Sequence, residues 1–177
     1  MELFIYLFAA LFSVLNPIGT VPIFVALTEG YTSAERAKVS LITSINVLII
    51  LLISFFIGQY VLSFFGITIT ALRIAGGIII TSSGFGLLNG NFSKNKGINK
   101  KVQKEVQNRT HIALTPLAMP MLAGPGSISL LIAYYQEHNT TSEIIISTIS
   151  ITVVAATIYL VLRSASFLAR MLGSSGF

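Results

Sequence analysis

The sequence contains no cysteine, no tryptophan and no aspartate, and only 10% of its 177 residues are charged. The absence of cysteine excludes disulfides, thiolate catalysis and cysteine-ligated metal sites, although it does not indicate a compartment. A soluble domain carries about 25% charged residues, so this chain cannot cover itself with a solvated surface. Together with the mean hydropathy of +0.85, this shortage of charge predicts a protein that lies mostly in lipid.

Long runs without any charged residue occupy most of the chain. They cover residues 3–28, 39–72, 74–93, 112–136 and 144–162. A helix rises about 1.5 Å per residue and needs about 20 apolar residues to cross a membrane, so each run is long enough for one span. Strands of a membrane barrel would instead alternate in polarity over about 10 residues. The sequence therefore predicts an all-α bundle with five transmembrane helices.

The basic residues give this bundle an orientation. Six lysines and arginines lie between residues 89 and 111, against Glu105 as the single acid. The positive-inside rule places this loop in the cytoplasm, which by alternation puts the N-terminus outside and the C-terminus in the cytoplasm. The loop has one aromatic residue, Phe92, for base stacking. The net charge of +5 is therefore better explained by contact with the lipid bilayer than by a nucleic-acid partner.

Two of the predicted spans break the rules of helix formation. The first and fourth contain prolines with the same five-residue spacing, Pro17 with Pro22 and Pro120 with Pro125. A proline inside a helix removes one backbone hydrogen bond, and two should unwind or sharply kink a span near mid-membrane. Freed backbone groups are tolerated there only when they are buried in protein or face a wet cavity. We therefore expect the first and fourth helices to be discontinuous.

Matched interruptions in spans of opposite direction indicate an inverted repeat of three plus three helices, with a binding site where the interruptions meet. We predict one membrane domain, with a first repeat at about 1–90, a basic loop at about 91–111 and an incomplete second repeat at about 112–177. The alternative is that the prolines only shape the packing. The candidate substrate-binding residues are Asn16, Pro17, Gly19, Thr20, Pro22, Pro120, Gly124, Pro125, Gly126 and Ser127.

Three sequence motifs resemble the MarC family of bacterial inner-membrane proteins. They are Asn16-Pro17-Ile18-Gly19 with Pro22, Arg73-Ile74-Ala75-Gly76-Gly77, and the segment 116–127 that ends in Ala-Gly-Pro-Gly-Ser. The resemblance covers nearly the whole chain in order. It implies six helices in two inverted halves, with discontinuous first and fourth helices forming the substrate site. It also implies a place in the inner membrane, and some members of the family are described as transporters of small neutral amino acids. Only 14 residues follow Arg163, so we expect the sixth helix to be missing.

These features favour a transporter of small neutral solutes, such as glycine or alanine, that works by alternating access. We expect the substrate carboxylate to bind amides near Gly19 or near residues 124–127, and the ammonium group to bind carbonyls freed by the prolines. The glycines leave little room, which favours small substrates. Two alternatives remain open at this point: a passive channel, and a non-transporting membrane protein that needs a partner helix.

Enzymatic activity is not expected. The sequence has no H-E-x-x-H motif, and His111 and His138 lie at loop edges without the spacing of metal ligands. No cofactor or metal is predicted. All six glutamates fall outside the uncharged runs, so a carboxylate proton relay at the bilayer centre is absent. The coupling ion is not identified, and homo-oligomer formation is left open. Arg73, near the outer end of the third span, is interpreted as a snorkelling anchor rather than as the partner of an anionic group.

Overall fold

The computed structural model describes residues 1–88, 112–165 and 167. The predicted all-α fold class is confirmed. In chain order the helices are α1 (Glu2–Leu15), α2 (Pro17–Leu27), α3 (Ser33–Phe64), α4 (Ile69–Leu88), α5 (Ala113–Leu122), α6 (Pro125–Glu137) and α7 (Thr141–Arg163). The predicted basic loop at 91–111 and the C-terminal residues from 168 onward lie outside the described residues.

The helices form a polytopic membrane bundle. Within the part of the chain that the structure describes, three helical stretches are long and apolar enough to cross a bilayer: Glu2–Leu27, Ser33–Phe64 and Thr141–Arg163. The other two predicted spans are occupied by α4 and by the pair α5 and α6. Large apolar side chains such as Ile49, Ile53 and Ile57 are exposed, whereas many serines and threonines are buried inside. This distribution is the one that a lipid environment favours, because lipid solvates apolar side chains and not hydroxyl groups.

Two capping boxes fix where α3 and α7 begin. Before α3, the Thr32 N–H donates to Glu35 Oε2 at 2.8 Å, and the Glu35 N–H donates to Thr32 Oγ1 at 3.3 Å. Thr140 and Glu143 form the same reciprocal pair before α7. Each box satisfies two backbone donors that the first turn of a helix would leave unpaired. The spacing Thr32-x-x-Glu35 in the sequence is by itself typical of such a box.

The second half of the chain repeats the first. An offset of 108 residues relates Thr32 to Thr140, the residues before α3 and α7, and relates Pro17 to Pro125, the first residues of α2 and α6. The helix contacts repeat as well: α1 packs on α7 as α5 packs on α3, and α2 packs on α7 as α6 packs on α3. This correspondence is the one that two copies of the same helix arrangement would give.

Helices α1 and α6 run in opposite directions. Near one end, the rings of Tyr6 and Tyr134 stack with centroids 6.4 Å apart. Eight residues further along α1 and eight residues back along α6, Val14 lies beside Gly126, where an added Cβ would be 3.5 Å from Val14 Cγ1. Because α1 belongs to the first broken span and α6 to the fourth, the corresponding spans are antiparallel, as an inverted repeat requires.

Helix α4 is held against α6 by close approach at two points. A Cβ added at Gly76 would overlap Ser129 Oγ, and one added at Gly126 would lie 2.8 Å from Ile80 Cγ1. By contrast, a Cβ added at Gly77 meets nothing within 4 Å. The close packing of α4 on α6 therefore requires a glycine at residue 76, whereas Gly77 could carry a side chain.

Substitution of these adjacent glycines tests the packing of α4 on α6. We expect Gly76→Ala to lower the stability by about 1–3 kcal/mol, because the new methyl group displaces Ser129 from its position in a close-packed interface. Gly77→Ala is the matched control and should leave the thermal unfolding midpoint unchanged or raise it, since alanine favours helix over glycine. Thermal unfolding of the two variants in the same detergent, followed by circular dichroism, makes the comparison. Equal midpoints would contradict the assigned contact.

Candidate functional site

The break in the first span is a single residue, Asn16. Its backbone has φ 44° and ψ 60°, the left-handed conformation that asparagine tolerates better than most residues. The Asn16 N–H donates to Phe12 O at 3.1 Å and closes α1. Its side-chain Oδ1 accepts a hydrogen bond from the Gly19 N–H at 3.1 Å and so caps the start of α2. One residue therefore ends one helix and begins the next.

The prolines of the first span disturb the helix less than the sequence suggested. Pro17 is the first residue of α2, a position where no N–H is needed. Pro22 lies inside α2 and is exposed, yet the helix continues to Leu27. The span is therefore discontinuous, as expected, but the backbone departs from helix at Asn16 and not between the two prolines. Thr20 is buried, and its Oγ1 donates to the Asn16 carbonyl at 3.2 Å.

The fourth span is distorted over a longer stretch. Within α5, Thr115 has φ −126° and ψ 121°, and Met119 has φ −132° and ψ 128°. Each precedes a proline, Pro116 or Pro120, whose ring excludes the preceding residue from the helical region. The backbone hydrogen bond that closes α5, at 2.8 Å, spans five residues instead of the four of an α-helix. Here the prolines do interrupt the helix, as predicted.

The second break separates α5 from α6 at Gly124. Gly124 has φ −88° and ψ 174°, an extended conformation, and α6 begins at Pro125. No side chain caps this N-terminus. The Ser127 hydroxyl donates to the Gly124 carbonyl at 2.9 Å, so it does not accept from the backbone as a cap would. The first amides of α6, at Gly126 and Ser127, are among those that have no acceptor within a helix.

The residue-by-residue correspondence between the two broken spans differs from the one that the proline spacing indicated. The offset that relates the capping boxes pairs Pro17 with Pro125, Asn16 with Gly124, and Gly19 with Ser127. The match of the Pro17 and Pro22 spacing with that of Pro120 and Pro125 is therefore not a structural equivalence. The true correspondence exposes an asymmetry, because asparagine caps the first half-helix and glycine leaves the second uncapped.

The structure brings the two breaks to the same level of the bundle. Gly126, in the first turn of α6, contacts Val14, which lies two residues before Asn16. Helix α2 also contacts α5. Asn16, Gly19 and Thr20 thus surround one break and residues 124–127 surround the other. Pro22 lies further along α2, and the side chain of Pro120 is outside what the structure describes.

Val14 and Ile80 line the second break and were not predicted from the sequence. Both are apolar residues on spans rich in such residues, so nothing in the sequence distinguishes them. The only signal is indirect and comes from Gly126: a Cβ added there would lie 2.8 Å from Ile80 Cγ1, which is too close, and 3.5 Å from Val14 Cγ1, which is ordinary contact. The apolar walls thereby narrow the space around the uncapped helix terminus.

The ionic groups of the described residues lie away from the two breaks. Arg73, at the start of α4, forms an ion pair with Glu137, at the end of α6, and both side chains are about half exposed. The preference for Arg73 as a lone snorkelling anchor is therefore corrected, because a carboxylate is its partner. His138 stacks on Tyr134 with ring centroids 4.2 Å apart. Among the described residues there is no group of three or more potential metal-ligating side chains.

Comparison with known proteins decides the family. The pattern that describes the MarC family integral membrane proteins matches residues 1–177. The chain belongs to the MarC family. A relative from Buchnera aphidicola of Schizaphis graminum, named UPF0056 membrane protein, is 40% identical over 99% of this chain and 81% of its own length. The resemblance seen in the sequence motifs is thereby confirmed.

Two relatives come from Escherichia coli. The K12 membrane protein YhcE is 36% identical over 96% of this chain and 78% of its own length. The inner membrane protein MarC of strain ATCC 8739 is 35% identical over 91% of this chain and 77% of its own length. No solved structure matches the chain. The names of these relatives agree with the fold, which makes the chain a multi-pass integral membrane protein.

The capping role of Asn16 gives a stability prediction. Asn16→Ala removes the acceptor for the Gly19 N–H and places an alanine in the left-handed region, so we expect a loss of about 1–2 kcal/mol. Asn16→Gly also removes the side chain but tolerates that backbone conformation, so its loss should be smaller. Thermal unfolding in detergent measures both. An Asn16→Ala variant as stable as the unmodified chain would show that this residue does not hold the two half-helices together.

Proposed function

We propose that this MarC-family protein transports small neutral solutes, in particular small amino acids such as glycine and alanine, across the bacterial inner membrane. The observation that carries the proposal is the meeting of the two helix breaks, at Asn16 and at Gly124, inside an antiparallel pair of spans. Interrupted helices of two inverted halves form the substrate site in several transporter folds, because the unpaired ends of the half-helices are ligands.

The substrate carboxylate is assigned to the N-terminus of α6. The first amides of a helix carry unpaired N–H groups and the positive end of the helix dipole, which together bind anions. At α2 the Gly19 amide already donates to Asn16. At α6 no side chain caps the amides of Gly126 and Ser127. Of the two sites considered from the sequence, the one at residues 124–127 is therefore the better anion site.

The ammonium group is assigned to the carbonyl end of α1. The last carbonyls of a helix lack donors and carry the negative end of its dipole. Val14, in the last turn of α1, contacts Gly126, so the carbonyl end of one half-helix lies next to the amide end of the other. A zwitterion fits between them. The apolar walls at Val14 and Ile80 restrict the substrate to a small side chain.

Alternating access follows from the repeat. If the first half rocks against the second, the site between the breaks opens to one side of the membrane and then to the other. The proposed orientation keeps the N-terminus outside and the basic loop in the cytoplasm, as the charge distribution predicts.

Uptake of radiolabelled glycine and alanine into proteoliposomes tests the proposal. We expect saturable uptake by the unmodified chain and a loss of at least about tenfold in Gly124→Leu, whose side chain enters the break. Asn16→Ala should also reduce uptake, because it loosens the junction that positions α2. Gly77→Ala is the control, because its methyl group meets nothing within 4 Å. Orientation and reconstituted amount are matched between samples.

The results also separate the proposal from its two alternatives. Flux that rises in proportion to substrate concentration without saturation would identify a passive channel. A second membrane protein that purifies with the chain, combined with no uptake by the chain alone, would favour an assembly that needs a partner helix. Equal saturable uptake by the unmodified chain and Gly124→Leu would contradict the proposed site.

A further inference from the structure

The last turn of α6 is held by three other helices at one end of the bundle. Tyr134 contacts α1, Gln136 contacts α3 and Glu137 contacts α4. The three contacts are the ring stack of Tyr134 on Tyr6, with centroids 6.4 Å apart, the hydrogen bond that Gln136 Nε2 donates to Gln59 Oε1 at 3.3 Å, and the ion pair of Glu137 with Arg73. We refer to these three contacts as the α6 latch.

The two polar contacts of the latch lie at the surface. The side chains of Arg73 and Glu137 are 48% and 57% exposed, and the bond between Gln59 and Gln136 is exposed as well. Water replaces the partner of such a group when the pair separates, so exposed ion pairs and hydrogen bonds add little to stability. The latch therefore opens and closes at a small cost in free energy, unlike the buried apolar packing of the bundle.

Helix α6 is a separate rigid segment between two non-helical points. Its 13 residues span ~20 Å. Before it, Gly124 is extended, with ψ 174°. At its other end the His138 N–H donates to the Tyr134 carbonyl at 3.0 Å. Residues at the ends of helices absorb the changes of φ and ψ when a segment swings, so Gly124 has the position of a hinge for α6, with the latch at the far end.

Helix α4 lies along α6 from the latch to the start of α6. Three residues of α4 that contact α6 are Arg73, Gly76 and Ile80, whose spacing of three and four places them on one helix face. Gly76 meets Ser129, and Ile80 meets Gly126 in the first turn of α6. The same helix pair therefore carries the latch at one end and the proposed carboxylate site at the other.

The α6 side chains that face its neighbours between the latch and the carboxylate site are covered. Ser129 is 5% exposed, Ile132 is 4% exposed, and Leu131 has no exposed surface. A Cβ added at Gly58 of α3 would overlap the side chain of Ile132, so α3 also approaches this part of α6 closely. The described conformation therefore closes α6 against its neighbours from the latch to its first turn.

We infer that the α6 latch is the gate of the proposed transporter at this end of the bundle, and that the described conformation has this gate closed. Alternating access requires that a substrate site open to each side in turn. When the latch breaks, α6 tilts about Gly124 and uncovers Ser129 and Ile132 on the way to the carboxylate site. The inference rests on the proposed function and deepens it, because it names the contacts that regulate access.

The charge distribution assigns the latch to one face of the membrane. Residues 136–143, which contain the end of α6 and the start of α7, include no lysine or arginine. The positive-inside rule therefore favours the outer face for this segment. In the proposed orientation the latch is the outer gate, and the described conformation is closed to the outside.

Accessibility of a buried residue measures how often the gate opens. The chain has no cysteine of its own, so Ser129→Cys is the single target of a quaternary-ammonium thiosulfonate, a charged thiol reagent that does not cross the membrane. Asn139→Cys, at an exposed position just after α6, identifies the vesicle side that faces the latch. We expect slow labelling of Ser129→Cys from that side, and labelling about threefold to fivefold faster when Glu137→Gln removes the ion pair.

Variants of the ion pair separate opening of the latch from general loosening of the bundle. Arg73→Gln should accelerate labelling as Glu137→Gln does, and the double variant should add nothing further, because the two side chains form one interaction. Arg73→Glu combined with Glu137→Arg should return labelling toward the slow rate. Glu2→Gln, at the start of α1 and at the same end of the bundle, is the matched control with an unchanged rate, since Glu2 forms no ion pair among the described residues. Ile132→Cys is a second buried reporter if Ser129→Cys fails to fold.

A reversible bridge across the latch distinguishes a gate from a permanent contact. Gln59→Cys and Gln136→Cys are joined by a short bifunctional thiosulfonate, and dithiothreitol removes the bridge. We expect the bridge to abolish glycine uptake into proteoliposomes and its removal to restore uptake, because a gate must open in each cycle. Each single cysteine variant, treated with the same reagent, is the control and should keep its uptake.

The outcomes separate this inference from the proposed function. The gate is overturned if Glu137→Gln and Arg73→Gln both label like the unmodified latch, or if the bridged chain takes up glycine at the unbridged rate. Saturable uptake with the bridge in place would leave the proposed function intact. Faster labelling in both ion-pair variants, without uptake of glycine or alanine by any of the chains, would support the latch as a moving element and contradict the proposed function.

Discussion

The requirement that every backbone N–H and C=O group find a partner within the bilayer governs this structure. Lipid offers no hydrogen bonds, so an unpaired peptide group costs several kcal/mol. Regular helices meet the requirement alone. At the first break, Asn16 alone satisfies the requirement, because its N–H closes α1 and its side chain caps α2. At the second break, Gly124 supplies no side-chain cap, and the proposed function assigns the first amides of α6 to the substrate carboxylate.

The packing around the breaks depends on residues without side chains. Gly76 and Gly126 let α4 and α6 approach closely, and Gly126 also brings α6 to Val14 at the end of α1. Each approach joins a helix of one repeat to the interrupted span of the other. The interior therefore combines tight apolar walls with a few polar backbone groups, which is the usual composition of a small-molecule site.

Much of the fold could be predicted from the sequence, because hydrophobic run length and capping residues act locally. The all-α class, the capping box at residues 32–35 and the discontinuity of the first and fourth spans needed no tertiary information. The role of each proline did need it: Pro17 and Pro22 have the spacing of Pro120 and Pro125, yet α2 accommodates Pro22 while α5 is distorted before Pro120. The pairing of Arg73 with Glu137 and the walls at Val14 and Ile80 also arise only from packing between distant segments.

Cysteine cross-linking of Val14→Cys with Gly126→Cys tests most directly whether the two breaks meet, in an Ile80→Ala background that leaves room for a side chain at residue 126. The chain has no cysteine of its own, so any bridge reports the introduced pair. The pair Tyr6→Cys and Tyr134→Cys, at the other end of the same two helices, is the control for helix pairing. We predict that mild oxidation in membranes cross-links both pairs. A bridge between residues 6 and 134 without one between residues 14 and 126 would show that the helices pair while the breaks lie apart, and would contradict the account.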